Sequence, residues 1–367
     1  MPTPGTEPRR GAPPVDAAES PADIVHHHEP HAEAPTPAVK RAVASKKPAA
    51  STPVVETAPV KLDEVKRGAD LAFKSATGLS AGLIVAIVGF IAVFLLALAV
   101  PALGRNNANF LTSNEWDLGS KFSFGISGLM WTTVFSSIIA MMIAVPIAIG
   151  VALLITHYAK GALSNTIGFM VDLLAAVPSV VYGLWGLRVL GPVLVPVGEF
   201  LSKILGWIPI FKPGLLPSPG TVFTASTVLA IMILPIVTSI SRDVFAQTPR
   251  DNIEAAWALG ATKTEMIRTA VIPYGRSGVT AAAMLGLGRA LGETVAVMII
   301  LSTVQELDFS IFGGGETFAA RIANGAGELD SADKTGAYIA AGLVLFVLTF
   351  VVNAVARTLA NAGKVKA

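Results

Sequence analysis

The chain has 367 residues, 53% of them hydrophobic and only 14% charged, with a formal net charge of +2. A water-soluble domain carries about 25% charged residues, so this composition and a mean hydropathy of +0.64 exclude a soluble globular protein and indicate an integral membrane chain. The absence of cysteine excludes disulfides, thiolate metal sites and cysteine nucleophiles together.

Residues 1–70 are rich in Pro, Ala, Glu and Lys without a periodic apolar face, which predicts a disordered tail. No continuous apolar run precedes the first span, so a cleavable signal peptide is not expected. His26, His27, His28 and His31 lie in this tail, where nothing would hold a fixed ligand geometry. No metal site is expected from them.

A membrane-crossing helix needs about 20 predominantly apolar residues, so uncharged runs locate the spans. The first lies near 79–101 within the region 76–104, and the second near 128–156, where Pro146 predicts a kink. The third, near 166–187, carries Asp172 and Pro178. Asp172 reads as an interfacial charge reached by water or a basic neighbour. Pro178 frees a backbone carbonyl in mid-membrane, and the hydroxyls of Ser179 and Tyr182 follow it. They could serve an anion or bond between helices; the segment alone leaves both open.

The fourth span lies near 221–241, the fifth near 277–302 and the sixth near 336–356. Segment 189–211 is apolar but broken by Pro192, Pro196 and Pro209 and charged at Glu199 and Lys203. It is expected to be an interfacial or re-entrant piece on the outer side rather than a seventh span. The charge bias agrees. One side would hold Lys61, Lys66, Arg67, Lys74, Lys160, Arg242, Arg250, Lys263, Arg268, Arg276, Arg357, Lys364 and Lys366, and the other only Arg105, Lys121, Arg188, Lys203, Lys212, Arg321 and Lys334. By the positive-inside rule both termini and the loop after the fourth span are cytoplasmic.

That loop has the punctuation of a helical hairpin. Thr248 and Pro249 predict an N-cap and first helical position, and Gly260 the left-handed residue that ends the helix. Thr262 and Glu265 have capping-box spacing, and Pro273 is expected to limit the second helix. Ile253, Ala256, Trp257 and Gly260 share one small apolar face. From Arg242 to Arg276 the five basic residues oppose Asp243, Asp251, Glu254 and Glu265, too balanced a set for nucleic acid. A capped hairpin between two spans reads instead as a docking surface.

In the fifth span Arg289 and Glu293 are spaced i, i+4, one turn apart on one face. A charge near the bilayer centre costs roughly 3 kcal/mol, and a purely structural pair gains nothing over two leucines, so the pair reads as lining a pathway. Gly288 and Gly292 form a GxxxG that predicts close approach of another helix. The sequence contains no G-x-x-x-x-G-K-[ST], H-E-x-x-H or G-x-S-x-G, so neither nucleotide hydrolysis nor familiar hydrolase chemistry is expected of it. His157, at a helix end, reads as an interfacial anchor.

Glu254-Ala255-Ala256, Gly260 and Pro273 together resemble the EAA loop of ABC importer permeases, with Ala270 and Ile272 departing from its pattern but remaining apolar. The runs 173–186, 286–294 and 318–324 are similar to the phosphate-specific permeases of the PstC type. This resemblance implies an all-α integral membrane protein with six transmembrane helices and the type I importer permease fold over 125–360, with its EAA loop at 249–273. It implies half of a pore for inorganic phosphate in the cell membrane, a transport subunit without cofactors. A second homologous permease subunit, a cytoplasmic ATPase dimer and an extracytoplasmic phosphate-binding protein would complete the assembly. In that family Arg289 and Glu293 would attend phosphate passage, and Gly260 would couple to the ATPase. A permease for molybdate, sulfate or phosphonate, or an ATPase-independent channel or ion-coupled transporter, is the alternative.

Overall fold

Backbone polar groups have no water to bond inside a bilayer, so a chain this apolar must satisfy them within helices. The computed structural model describes residues 67–304 and 308–362. The tail expected over 1–70 lies outside the described residues except for its last four positions, which already belong to the first helix. That helix, α1, runs Arg67–Arg105. A short antiparallel pair, β1 (Trp116–Asp117) and β2 (Ser123–Phe124), precedes α2 at Ser127–Leu153. Helix α3 covers Ala162–Ala175, α4 Ser179–Trp185 and α5 Gly191–Leu205, the last two joined by a π turn. Then come α6 (Val222–Ala246), α7 (Arg250–Ala258), α8 (Lys263–Met266), α9 (Ile272–Gly292) and α10 (Val295–Ile300). Helices α11 (Phe318–Asn324) and α12 (Ala332–Ala362) finish the described chain.

Close packing is carried by small residues. Ala140, Ala144, Ala148 and Ala152 recur every fourth position of α2 and are fully buried, and α2 lies along α6. On the other flank of α6, a Cβ at Gly275 would meet the Phe245 ring at 2.6 Å and one at Gly286 would meet Val237 at 2.9 Å. Helix α1 packs against α12, where Gly336 receives Ala102, and Arg105 Nη1 reaches Asp333 Oδ1 at 2.6 Å.

The bundle has two distinct ends. At one, the segment 206–222 interlocks with Ser302 and with 308–318: Leu215 N–H donates to the Phe312 carbonyl at 2.8 Å, Val222 N–H to Gly313 at 2.9 Å and Ser302 N–H to Gly220 at 3.0 Å. The β1–β2 hairpin joins this loop end, with the Arg321 guanidinium 5.2 Å from the Trp116 ring centre. Arg321 also pairs with buried Glu316 at 2.6 Å. At the other end, Arg242 faces Asp172 at 3.8 Å and Lys263 lies 4.6 Å over the Tyr158 ring, so Asp172 has the basic neighbour expected of it.

Five helical runs are long and apolar enough to cross a membrane: 71–105, 127–158, 179–205, 222–246 and 332–358. A sixth passage is α9 with α10, which starts beside Phe245 at the hairpin end and finishes at Ser302 in the loop end. The third passage departs from the expected 166–187. It is not one helix but α3, a break at 176–178, and a new helix from Ser179 that continues through 189–205. The segment 189–211 is therefore no separate re-entrant piece. Pro192 does not interrupt it, because it falls in the first turn of α5 after a π turn that absorbs the lost donor, and Pro196 lies inside the same continuous helix. Its distal half packs on the loop end, where a Cβ at Gly198 would lie 3.1 Å from Phe312.

Within this chain no helix meets the GxxxG: nothing lies within 4 Å of a Cβ placed on Gly288 or Gly292, and the close approach of α9 to α6 is made by Gly286. Gly286→Val is expected to lower the folded stability by about 1–3 kcal/mol, the usual cost of overpacking, whereas Gly288→Ala leaves it unchanged. Thermal unfolding of the detergent-solubilised protein checks the contrast.

Candidate functional site

The chemistry-bearing residues gather where two passages break at the same level. In a continuous helix the Leu174 carbonyl would accept from residue 178, but Pro178 has no N–H. The chain turns there, with Pro178 at ψ 143°, and the Tyr182 hydroxyl donates to Leu174 at 2.8 Å. Tyr182 is buried, so its proton is committed to this repair. For Tyr182 this is a bond between helices, from α4 to α3. Ser179 occupies the first position of α4 and is half-buried.

The fifth passage breaks at Glu293, whose ψ of 124° ends α9. Glu293 still follows Arg289 by one helical turn, yet among the described residues no ion pair joins them. Glu293 caps the next helix instead: its Oε1 accepts the Ala296 N–H at 3.3 Å. That use satisfies one of the free N–H groups at the start of α10 and places negative charge at the positive end of its dipole.

The two restarted helices touch backbone to backbone. A Cβ at Gly183 would lie 3.0 Å from Ala296 Cα and 3.2 Å from its carbonyl oxygen. Arg289 is exposed and lies one turn before the second break. The structure thus brings Arg289, Glu293, Tyr182 and Ser179 to one level around two helix breaks, with open space at Gly288 and Gly292.

The hairpin follows its punctuation with two differences. Pro249, not Thr248, holds the N-cap position of α7, and the Thr248 hydroxyl is buried without a partner. Gly260 has φ +79°, and both closing bonds of a Schellman motif are present: Gly260 N–H to Trp257 at 2.9 Å and Ala261 N–H to Ala256 at 3.1 Å. The capping box is complete, with Thr262 N–H donating to Glu265 Oε2 at 2.8 Å. Pro273 does not stop the second helix. A π turn over Ile267–Val271 lets α8 pass into α9, with Pro273 in the first turn where no donor is missed.

The apolar face of α7 is divided. Ile253 and Ala256 pack inward on Phe245, Met266, Ile267 and Val271, which anchors the hairpin to the bundle. Trp257 is 54% and Leu259 89% exposed, beside exposed Glu254 and Ala255. Leu259 escaped the sequence pattern because it lies off the predicted stripe; its place just before a helix-ending glycine was the available signal.

Comparison with known proteins agrees with this architecture. Residues 144–362 match the family described as binding-protein-dependent transport system inner membrane component. The phosphate transport system permease protein PstC 2 of Mycobacterium tuberculosis (strain ATCC 25618 / H37Rv) is 54% identical over 320 residues, covering 85% of this chain and 98% of its own. The chain belongs to this permease family. The PstC protein of Mesorhizobium japonicum is 39% identical over 78% of this chain and 89% of its own. Among solved structures, a bacterial ABC transporter involved in importing the acidic polysaccharide alginate is 17% identical, with a TM-score of 0.50 over 79% of this chain and 97% of that one. The permease therefore has the fold of ABC importer permeases.

One consequence of the capping box is pH-dependent. The Thr262 N–H, then its hydroxyl, hold the Glu265 carboxyl below its ordinary value of 4.5. A depressed folded pKa gives stability that is present above the unfolded pKa and lost as pH falls through the folded one. Amide exchange of Lys263–Val271, corrected for intrinsic rates, is expected to stay slow from about pH 7 to about pH 5 and to quicken below 4.5.

Proposed function

We propose that this chain is one permease subunit of an ATP-driven importer and forms half of the membrane pore for inorganic phosphate. The observation that carries this reading is the exposed Arg289 beside paired helix breaks at one level of the bundle. A guanidinium presents a planar fork of donors suited to a phosphate-type oxyanion through two parallel bonds. The PstC relatives supply the substrate: each bears a name describing phosphate transport.

The chain supplies no nucleotide-binding loop, so hydrolysis belongs to a partner ATPase dimer on the cytoplasmic side. In this reading Trp257, Leu259, Glu254 and Ala255 meet that partner, while Ala256 and Gly260 shape the hairpin from within. Gly260 is required by its positive φ rather than by crowding, since a Cβ there would meet nothing within 4 Å. From Lys263 to Gly292 the chain is helical without interruption, a rod of about 45 Å at 1.5 Å per residue. A push on the hairpin would travel along it to Arg289 and the break at Glu293. A second, homologous permease subunit would close the pore, and an extracytoplasmic phosphate-binding protein would deliver to the loop end. The excess of basic residues on the hairpin side favours a cytoplasmic hairpin and cytoplasmic termini.

Arg289→Lys is the test, because it keeps the charge and removes the fork. Uptake of radiolabelled phosphate in cells lacking other phosphate carriers is expected to fall roughly 10-fold or more, the worth of one charge-assisted hydrogen bond, with the complex assembled and binding ATP. Wild-type uptake by that variant would remove Arg289 from the pathway.

A further inference from the structure

Arg289 also opens onto a groove of about 1000 Å³ between α9 and α12 that none of the assignments above explains. Its walls are apolar, formed by Ile236, Leu285, Phe350 and Ala354, and its charged lining residues are Arg289 and Arg357, with no carboxylate among them. Neither arginine makes an ion pair among the described residues. Two like charges lining one apolar groove repel, so the arrangement calls for an anion. A third observation is independent of charge: Asn353 Oδ1 is buried in the same groove without a hydrogen-bond partner.

We propose that Arg357 and Asn353 of α12 form, with Arg289 of α9, a binding site for a phosphate-type oxyanion in this groove. Asn353 and Arg357 are spaced i, i+4 on one helix and so share a face. The groove reaches from the level of the helix breaks toward the hairpin end, because α12 starts at the loop end, where Asp333 meets Arg105, and runs away from it. With an oxyanion bound, each guanidinium has an acceptor, the Asn353 amide can donate to the anion, and its Oδ1 can accept from a guanidinium that the anion orders. For free phosphate the inference rests on the function proposed above and makes this groove a second cationic step after Arg289. The same chemistry fits the headgroup of an anionic phospholipid lying along Leu285 and Phe350.

The test uses the complete importer in nanodiscs. In phosphatidylcholine alone, Arg357→Gln is expected to lower the retained 32P-phosphate and to cut uptake by about 10-fold, the worth of one charge-assisted hydrogen bond, with Arg357→Lys intermediate. Asn353→Asp, which keeps the size and adds a repelling charge, is expected to lower retention as well, so the result does not depend on one variant folding. In nanodiscs containing phosphatidylglycerol, native mass spectrometry distinguishes the sources. One phosphatidylglycerol fewer on Arg357→Gln, with retained phosphate unchanged, assigns the site to a lipid headgroup. If the wild-type complex carries sulfate or molybdate in place of phosphate, the substrate reading fails, and the same variants tested with that ion decide the site. Wild-type levels of bound oxyanion and bound phosphatidylglycerol in both Arg357→Gln and Asn353→Asp would overturn the proposal.

Discussion

The organisation of this permease depends on one constraint: a helix interrupted inside a membrane leaves backbone groups that only the protein can satisfy. Two passages are interrupted here, and each break is repaired from within. The Tyr182 hydroxyl takes the Leu174 carbonyl that Pro178 cannot serve, and the Glu293 carboxylate takes an N–H at the start of α10. With the breaks made tolerable, α4 and α10 can pack backbone to backbone where Gly183 meets Ala296. Arg289 sits one turn before one of those breaks.

The hairpin shows the same economy at the other end of α9. A Schellman closure at Gly260 and a capping box at Thr262 fix a rigid corner, and Ile253 and Ala256 hold it to the bundle. What remains outside is a small surface built on Trp257 and Leu259. The π turn at 267–271 is what allows this corner to continue into the helix that carries Arg289. The corner and Arg289 therefore lie on one continuous helical element.

Much of this was legible in the sequence, and the misreadings have identifiable causes. Gly260, Thr262 and Glu265 were read correctly because caps are local chemistry, decided within a few residues. Pro178 was recognised as a breaker for the same reason. That the Glu293 carboxylate turns to the start of α10 rather than to Arg289 was not legible, because Gly292 and Glu293 carry no signal as firm as a proline that α9 ends there. Pro273 and Pro192 misled in the opposite direction. Each was read as an interruption, yet a π turn placed just before it shifts the hydrogen-bond register so that no donor is missed. The choice of Gly286 over Gly288 and Gly292 for close packing depends on which face of α9 meets α6. An almost uniformly small and apolar helix does not encode that face in its pattern.

The central claim is that the paired breaks and Arg289 line a watery route rather than a lipid-facing or sealed core. Gly292 stands at this point with open space around it, and the chain has no native cysteine. A single cysteine at Gly292, in a complex whose other subunits are also cysteine-free, should react with a small charged thiol reagent, and bound phosphate should slow the reaction. Reaction only with lipid-soluble reagents, or a rate indifferent to phosphate, would contradict the account.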